Sequence, residues 1–95
     1  MKVRYAPRAI DDLASIADYL SHRNPQAARD IEARIHATIR VLREFSASGR
    51  KVAHNADIRV MPVSRYPYSI FYQVESGHIV VLHIRHAARR PIVKT

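Results

Sequence analysis

"IRVMPVSRYPYSIFYQVESGHIVVLHIR", residues Ile58 to Arg85, decides the fold. Its apolar residues recur at every second position, the period of a half-buried strand. It holds three strand candidates, "IRVMPV", "YSIFYQV" and "HIVVLHIR", punctuated by "SRYP" and "ESGH". Ser76-Gly77 suits a tight hairpin turn. Tyr68, Ile70, Tyr72 and Val74 are expected on one face of the second strand. Val80, Leu82 and Ile84 are expected on one face of the third. Both faces need a partner to close on.

Upstream, the period changes and supplies that partner. Ile10, Leu13, Ala14, Ala17 and Leu20 recur at helical spacing, with Asp11, Asp12, Ser15 and Asp18 on the other side. Pro7 suits the first turn of this helix. "SHRN" interrupts the pattern, and Asn24-Pro25 is an N-cap followed by a first-turn proline. Ala28, Ile31, Ile35, Ile39 and Leu42 then form a second apolar stripe, while Arg29, Glu32, Arg40 and Arg43 face water. Ser46 to Gly49 ends the second helix, with Gly49 free to take a positive φ. The short link predicts an antiparallel helical hairpin. At the start, "MKVRY" alternates and reads as a short strand, with Val3 and Tyr5 on one face. The expected fold is one α+β domain over residues 1–95, in the order β-α-α-β-β-β. A helical hairpin packs on a mostly antiparallel four-stranded sheet.

The totals agree with a small globular domain. Apolar residues make up 47% of the 95-residue chain, too many for a disordered one. There is no cysteine, so disulfides and thiolate metal sites are excluded. "MKVRYAPRAIDDL" lacks the apolar run of a signal peptide, and no stretch approaches the ~20 residues of a membrane span. The cytoplasm is the expected location. The net charge is +8. Residues 1–48 hold eight Lys/Arg against six Asp/Glu, and residues 49–95 hold eight against two. A basic half of this kind seeks an acidic partner, either nucleic acid or an acidic protein segment.

Most known chemistries find no footing. His83 and His86 are three apart, so a regular strand sends them to opposite faces and they cannot chelate one ion together. No metal site and no cofactor are expected. With two glycines, at 49 and 77, there is neither a phosphate-binding loop nor a dinucleotide fingerprint. Asp11 and Asp12 are adjacent on a helix and read as a solvated face.

What remains is the basic set. His83 and Arg85 are expected opposite Leu82 and Ile84. Arg59 is expected to alternate away from Ile58 and Val60. These cations would line one open face, with Arg89 and Arg90 at its rim. Such an array can hold phosphates or carboxylates. RNA cleavage would need an acid, a base and cations for the phosphorane charge. Arg59, His83, Arg85 and His86 are the candidates for that chemistry; since one flank of the last strand faces a given substrate, His83 with Arg85 is one candidate group there and His86 with the following Arg89 another. The plain alternative for each arginine is a snorkelling surface residue.

Several segments also carry a family resemblance. "PRAIDDLASIADYL" is similar to the first helix of the RelE/ParE superfamily of type II toxin–antitoxin toxins, and "NPQAA" to the start of its second helix. "SGRK" resembles the Gly-Arg that follows. "IRVMPVSRYPYSIFYQV" resembles the central hairpin, and "VVLHIRHAARRP" the closing strand with its His and paired arginines. The ParE branch is the nearest. Ala6 stands where a capping Thr or Ser is common. The tail "HAARRPIVKT" lacks the aromatic residue often found near the family's end.

The resemblance implies a growth-inhibiting toxin with the β-α-α-β-β-β fold. Its expected partner is an antitoxin with a ribbon-helix-helix, ParD-like N-terminus and an acidic, amphipathic C-terminal segment. ParE-like members poison DNA gyrase by binding. RelE-like members cut mRNA on the ribosome, which is the alternative here, and a degenerate toxin that only binds its antitoxin is a third reading. Arg59, His86, Arg89 and Arg90 match the ParE pattern. Arg50, Lys51 and Arg85 join them as candidate target- or antitoxin-binding residues. The antitoxin is expected in a groove where the hairpin leaves the sheet uncovered.

Overall fold

The computed structural model describes residues 1–87. β1 (Lys2–Tyr5) leads into α1 (Pro7–Arg23) and α2 (Pro25–Glu44). β2 (Arg50–Val52), β3 (Asn55–Pro62), β4 (Tyr68–Glu75) and β5 (His78–His86) follow. The strands form one sheet in the order β1-β5-β4-β3-β2. β1 runs parallel to β5, and the other pairs are antiparallel. The α+β class and the order of elements agree with expectation, but the sheet has five strands and not four. The added strand is β2, which pairs Arg50 with Val60 and Lys51 with Arg59. Three residues are too few for alternation to show.

α1 starts at Pro7, whose missing N–H costs nothing in the first turn. The N-cap residue, Ala6, is extended at φ −65° and ψ 154° and offers no side-chain acceptor. Ala6→Ser is therefore expected to stabilise the fold by about 1 kcal/mol. Thermal melts would show it; an unchanged or lower Tm would mean that the first-turn N–H groups are already satisfied by water. Asn24 alone separates the helices and caps both. Its N–H donates to the Leu20 carbonyl at 2.7 Å, and its Oδ1 accepts the Ala27 N–H at 3.0 Å.

α2 buries Ile31, Ile35, Ile39 and Leu42 as its spacing predicts. α1 is turned from expectation. Ala9 is fully buried and Leu13, Ile16 and Leu20 pack on the core, while Ile10 is 55% exposed. The stripe runs through residues 9, 13, 16 and 20, and Ala14 and Ala17 face water. That rotation brings Asp12 towards the sheet.

Tyr68, Ile70 and Tyr72 of β4 meet Ile79, Val81 and Ile84 of β5 beneath the helices. The β5 residues change parity between 81 and 84. Tyr72 lies opposite Val81 and Phe71 opposite His83, so Leu82 has no partner across the ladder. This extra residue is a β-bulge. Val80 and Leu82 consequently do not share the face of Ile84, contrary to the regular alternation expected. At the hairpin, Ser76 and Gly77 both take positive φ, 51° and 78°, the geometry of a two-residue type I′ turn.

Gly49 does not use its freedom to take a positive φ, whereas Gly77 does. The constraint on Gly49 is space. A Cβ there would lie 2.7 Å from Tyr72 Oη and 2.9 Å from the Val60 carbonyl oxygen.

Candidate functional site

Among the described residues the sheet has a helix-covered face and an open one, and the register assigns each candidate to a face. Cross-strand partners share a side. Arg50, Val60, Phe71 and His83 form one row on the open face. Ser69 and Arg85 share that face in the next row. Lys51, Arg59, Tyr72 and Val81 form a row on the helix side. His86 is also on the helix side, opposite Tyr68, with the two rings edge-on at 4.9 Å. Arg89 and Arg90 lie outside the described residues. The expected single array of Arg59, His83 and Arg85 is thus divided. His83 and Arg85 do share the open face, but Arg59 does not.

Arg59 is half-buried and engaged. Its Nη1 donates to the Gly49 carbonyl at 2.7 Å and to the Ala47 carbonyl at 3.3 Å. Beside it, the Tyr72 hydroxyl donates to the Ser46 carbonyl at 2.7 Å and accepts the Gly49 N–H at 2.9 Å. Together these two side chains satisfy the polar backbone of the loop that leaves α2. The guanidinium acts first as a splint for this loop.

His83 is held by a residue that sequence reasoning placed in solvent. β1 ends at Tyr5, opposite Val81, and leaves the far edge of β5 uncovered. Asp12 fills the gap from α1. Its Oδ2 accepts the Ile84 N–H at 2.9 Å and lies 2.6 Å from His83 Nδ1. Oδ1 accepts from Arg8 Nε at 3.2 Å. Burial opposes the Asp12 charge and is the largest single influence. The Ile84 N–H, His83 and Arg8 together outweigh it and hold the carboxyl below the usual aspartate range. The i, i+4 spacing of Arg8 and Asp12 is visible in the sequence. The rotation of α1 that aims Asp12 at β5 is not. Phe71 completes the group, stacked on His83 with ring centroids 5.7 Å apart and planes 26° apart.

A groove of about 310 Å³ runs between α1 and α2. Leu13, Ile16, Ala28 and Ile35 line it, with Arg29 and Glu32. The expected groove was between the hairpin and the sheet, among Arg50, Lys51, Arg59 and Arg85. The cleft formed by the described residues of α1 and α2 is a separate one, along the seam between the two helices, with a mixed-charge border. Arg50, Lys51 and Arg85 remain exposed.

The sequence model of the family described as "ParE toxin of type II toxin-antitoxin system, parDE" matches residues 3–91. The chain belongs to the ParE toxin family. A relative in this superfamily, "Toxin RelE2" of Caulobacter vibrioides, is 36% identical over 83 residues, 86% of this chain and 90% of that protein. Among solved structures, the chromosomal ParDE toxin–antitoxin system of P. aeruginosa matches with a TM-score of 0.76 and 22% identity. The match covers 90% of this chain and 95% of that one, and it shows a shared fold. The ParE fold therefore accounts for the helical hairpin on a mostly antiparallel sheet. No helix among the described residues is long and apolar enough to cross a membrane.

Proposed function

We propose that this ParE-family chain is the toxin of a type II toxin–antitoxin module that inhibits growth by binding DNA gyrase. Its cognate antitoxin is ParD-like and neutralises it with an acidic, amphipathic segment. One observation carries the choice of binding over catalysis: the four residues suited to RNA cleavage do not converge. Arg59 and His86 are on one face of the sheet, and His83 and Arg85 are on the other. Arg59 is further committed to two backbone carbonyls. An in-line cleavage needs its acid, base and cations around a single phosphate.

The purified chain is expected to inhibit supercoiling of relaxed plasmid by gyrase, and its induction to halt DNA replication before protein synthesis. Full supercoiling at saturating toxin would overturn the gyrase reading. The mRNA endoribonuclease alternative keeps one local feature, His83 and Arg85 side by side on the open face. Primer extension on translated transcripts after induction separates the two, because only the endoribonuclease produces cuts.

A further inference from the structure

We propose that the open face of the sheet is a binding platform for single-stranded nucleic acid, with Phe71 and His83 as its stacking surface and Arg50 and Arg85 as its phosphate contacts. The proposal stands apart from the choice of gyrase as target. It rests on charge distribution and on one cluster of side chains.

The charge is segregated by layer. The helices, residues 7–44, hold six Lys/Arg and six Asp/Glu, so the helical layer is neutral. The excess belongs to the rest of the chain. On the open face the register places Lys2, Arg4, Arg50 and Arg85, with His78 and His83. The acid found in those rows is Glu75, set opposite His78. Among the described residues no ion pair or side-chain hydrogen bond occupies Arg50 or Arg85, and both are exposed. The other acid nearby is Asp12 at the edge of β5, whose charge is engaged by Arg8, His83 and the Ile84 N–H, so the cations of the face outnumber its acids.

The centre of this face is aromatic and apolar. Phe71 and His83 are stacked neighbours and both are half-buried, so each keeps part of its surface in water. Asp12 holds the His83 ring from the strand edge through Nδ1. A ring fixed in this way loses little entropy when a base stacks on the pair. Arg50 lies three strands from His83, about 14 Å at the usual spacing between strands. Arg85 lies two residues along β5, about 7 Å away. Cations on either side of a pair of rings suit a strand whose bases turn towards the sheet while its phosphates reach the flanks. Duplex DNA hides its base faces and can use only the charges.

Fluorescence anisotropy with labelled oligonucleotides of about 12 nucleotides tests this on the intact chain. Single strands are expected to bind at low salt, more tightly than the matching duplex. Phe71→Leu keeps an apolar side chain but removes the ring, and it is expected to weaken single-strand binding about tenfold. Arg50→Glu with Arg85→Glu should weaken binding and flatten the salt dependence, by a slope of about 1.4 for two lost phosphate contacts. Arg40→Glu with Arg43→Glu, on α2, should change affinity less than about twofold. Circular dichroism checks that each variant is folded.

Three results would overturn the proposal. One is no binding at low salt. Another is equal loss from the α2 pair and the sheet pair, which would mean attraction by net charge alone. The third is displacement by poly-glutamate at the same charge concentration as by oligonucleotide, which would assign the face to an acidic protein. If Phe71→Leu does not fold, His83→Gln supplies the stacking test, and unchanged affinity there would likewise count against the platform.

Discussion

Gly49→Ala is expected to lower stability by about 3 kcal/mol, from overpacking at a site with no room for a methyl group. The added Cβ would lie 2.7 Å from Tyr72 Oη, 2.8 Å from Tyr72 Cε1 and 2.9 Å from the Val60 carbonyl oxygen. None of these neighbours yields easily. Tyr72 is fully buried, and its hydroxyl is fixed by Ser46 and by Gly49 itself. The Val60 carbonyl belongs to the sheet backbone. Movement of Gly49 would also break the bond from Arg59 to its carbonyl. For a domain of this size the melting temperature should fall by roughly 15 °C. Urea titration should show a lower midpoint at unchanged slope. Tyr72→Phe tests the same knot from the other side. It leaves the Gly49 N–H and the Ser46 carbonyl without their partner, at a cost of about 2 kcal/mol. It also removes one of the clashing atoms, so the double variant should lose less than the two separate losses combined. A Gly49→Ala protein within 0.5 kcal/mol of the parent, on the order of an ordinary surface substitution, would show that the loop moves freely and is not splinted.

Asp12→Ala is the second large effect, expected to cost about 2 kcal/mol because it strips a charged acceptor from a backbone N–H and from His83. The same carboxylate gives stability a pH signature. Its folded pKa lies below the ordinary aspartate value, despite the opposing effect of burial. The unfolded chain therefore takes up the proton first as pH falls. The stabilisation is complete above the unfolded pKa of about 3.9 and is lost as pH drops through the folded value. Asp12→Asn keeps an oxygen for the Ile84 N–H but removes the titration. Denaturant midpoints measured from pH 6 downward should fall more steeply for the parent than for Asp12→Asn. Parallel curves would mean that Asp12 contributes no proton linkage.

The helices and the three long strands were legible because each has a period long enough to repeat. α2 repeats its stripe from Ala28 to Leu42, and its boundary at Asn24-Pro25 is written in capping chemistry. β2 was invisible at three residues. The site was legible as a set of residue types and not as an arrangement. Ile58 and Val60 look like core and send Arg59 outward. Val60 is indeed buried, but on the open face, apart from the main cluster, while Arg59 shares a row with buried Tyr72. Alternation reports that a strand has two sides; it does not say which side the helices cover. The bulge at Leu82 has no sequence mark of its own, yet it reverses the facing of the rest of β5. Asp12 reads as solvated when the helical stripe is drawn through Ile10, and the fold turns that stripe towards Ala9 and Ile16.

The parallel pairing of β1 with β5 has a consequence for synthesis. Val3 pairs with Ile79, 76 positions later. At about 5–20 residues per second, roughly 4–15 s separate the synthesis of the first strand from that of its partner in the sheet. β5 lies inside the sheet, between β1 and β4. Until it arrives, the early strand and the helical hairpin have no sheet to cover, and the rows that carry His83 and Arg85 do not exist. A chain arrested before Ile79 is an unfinished core. The open-face rows are thus something the nascent polypeptide acquires late, near the end of translation of the described fold.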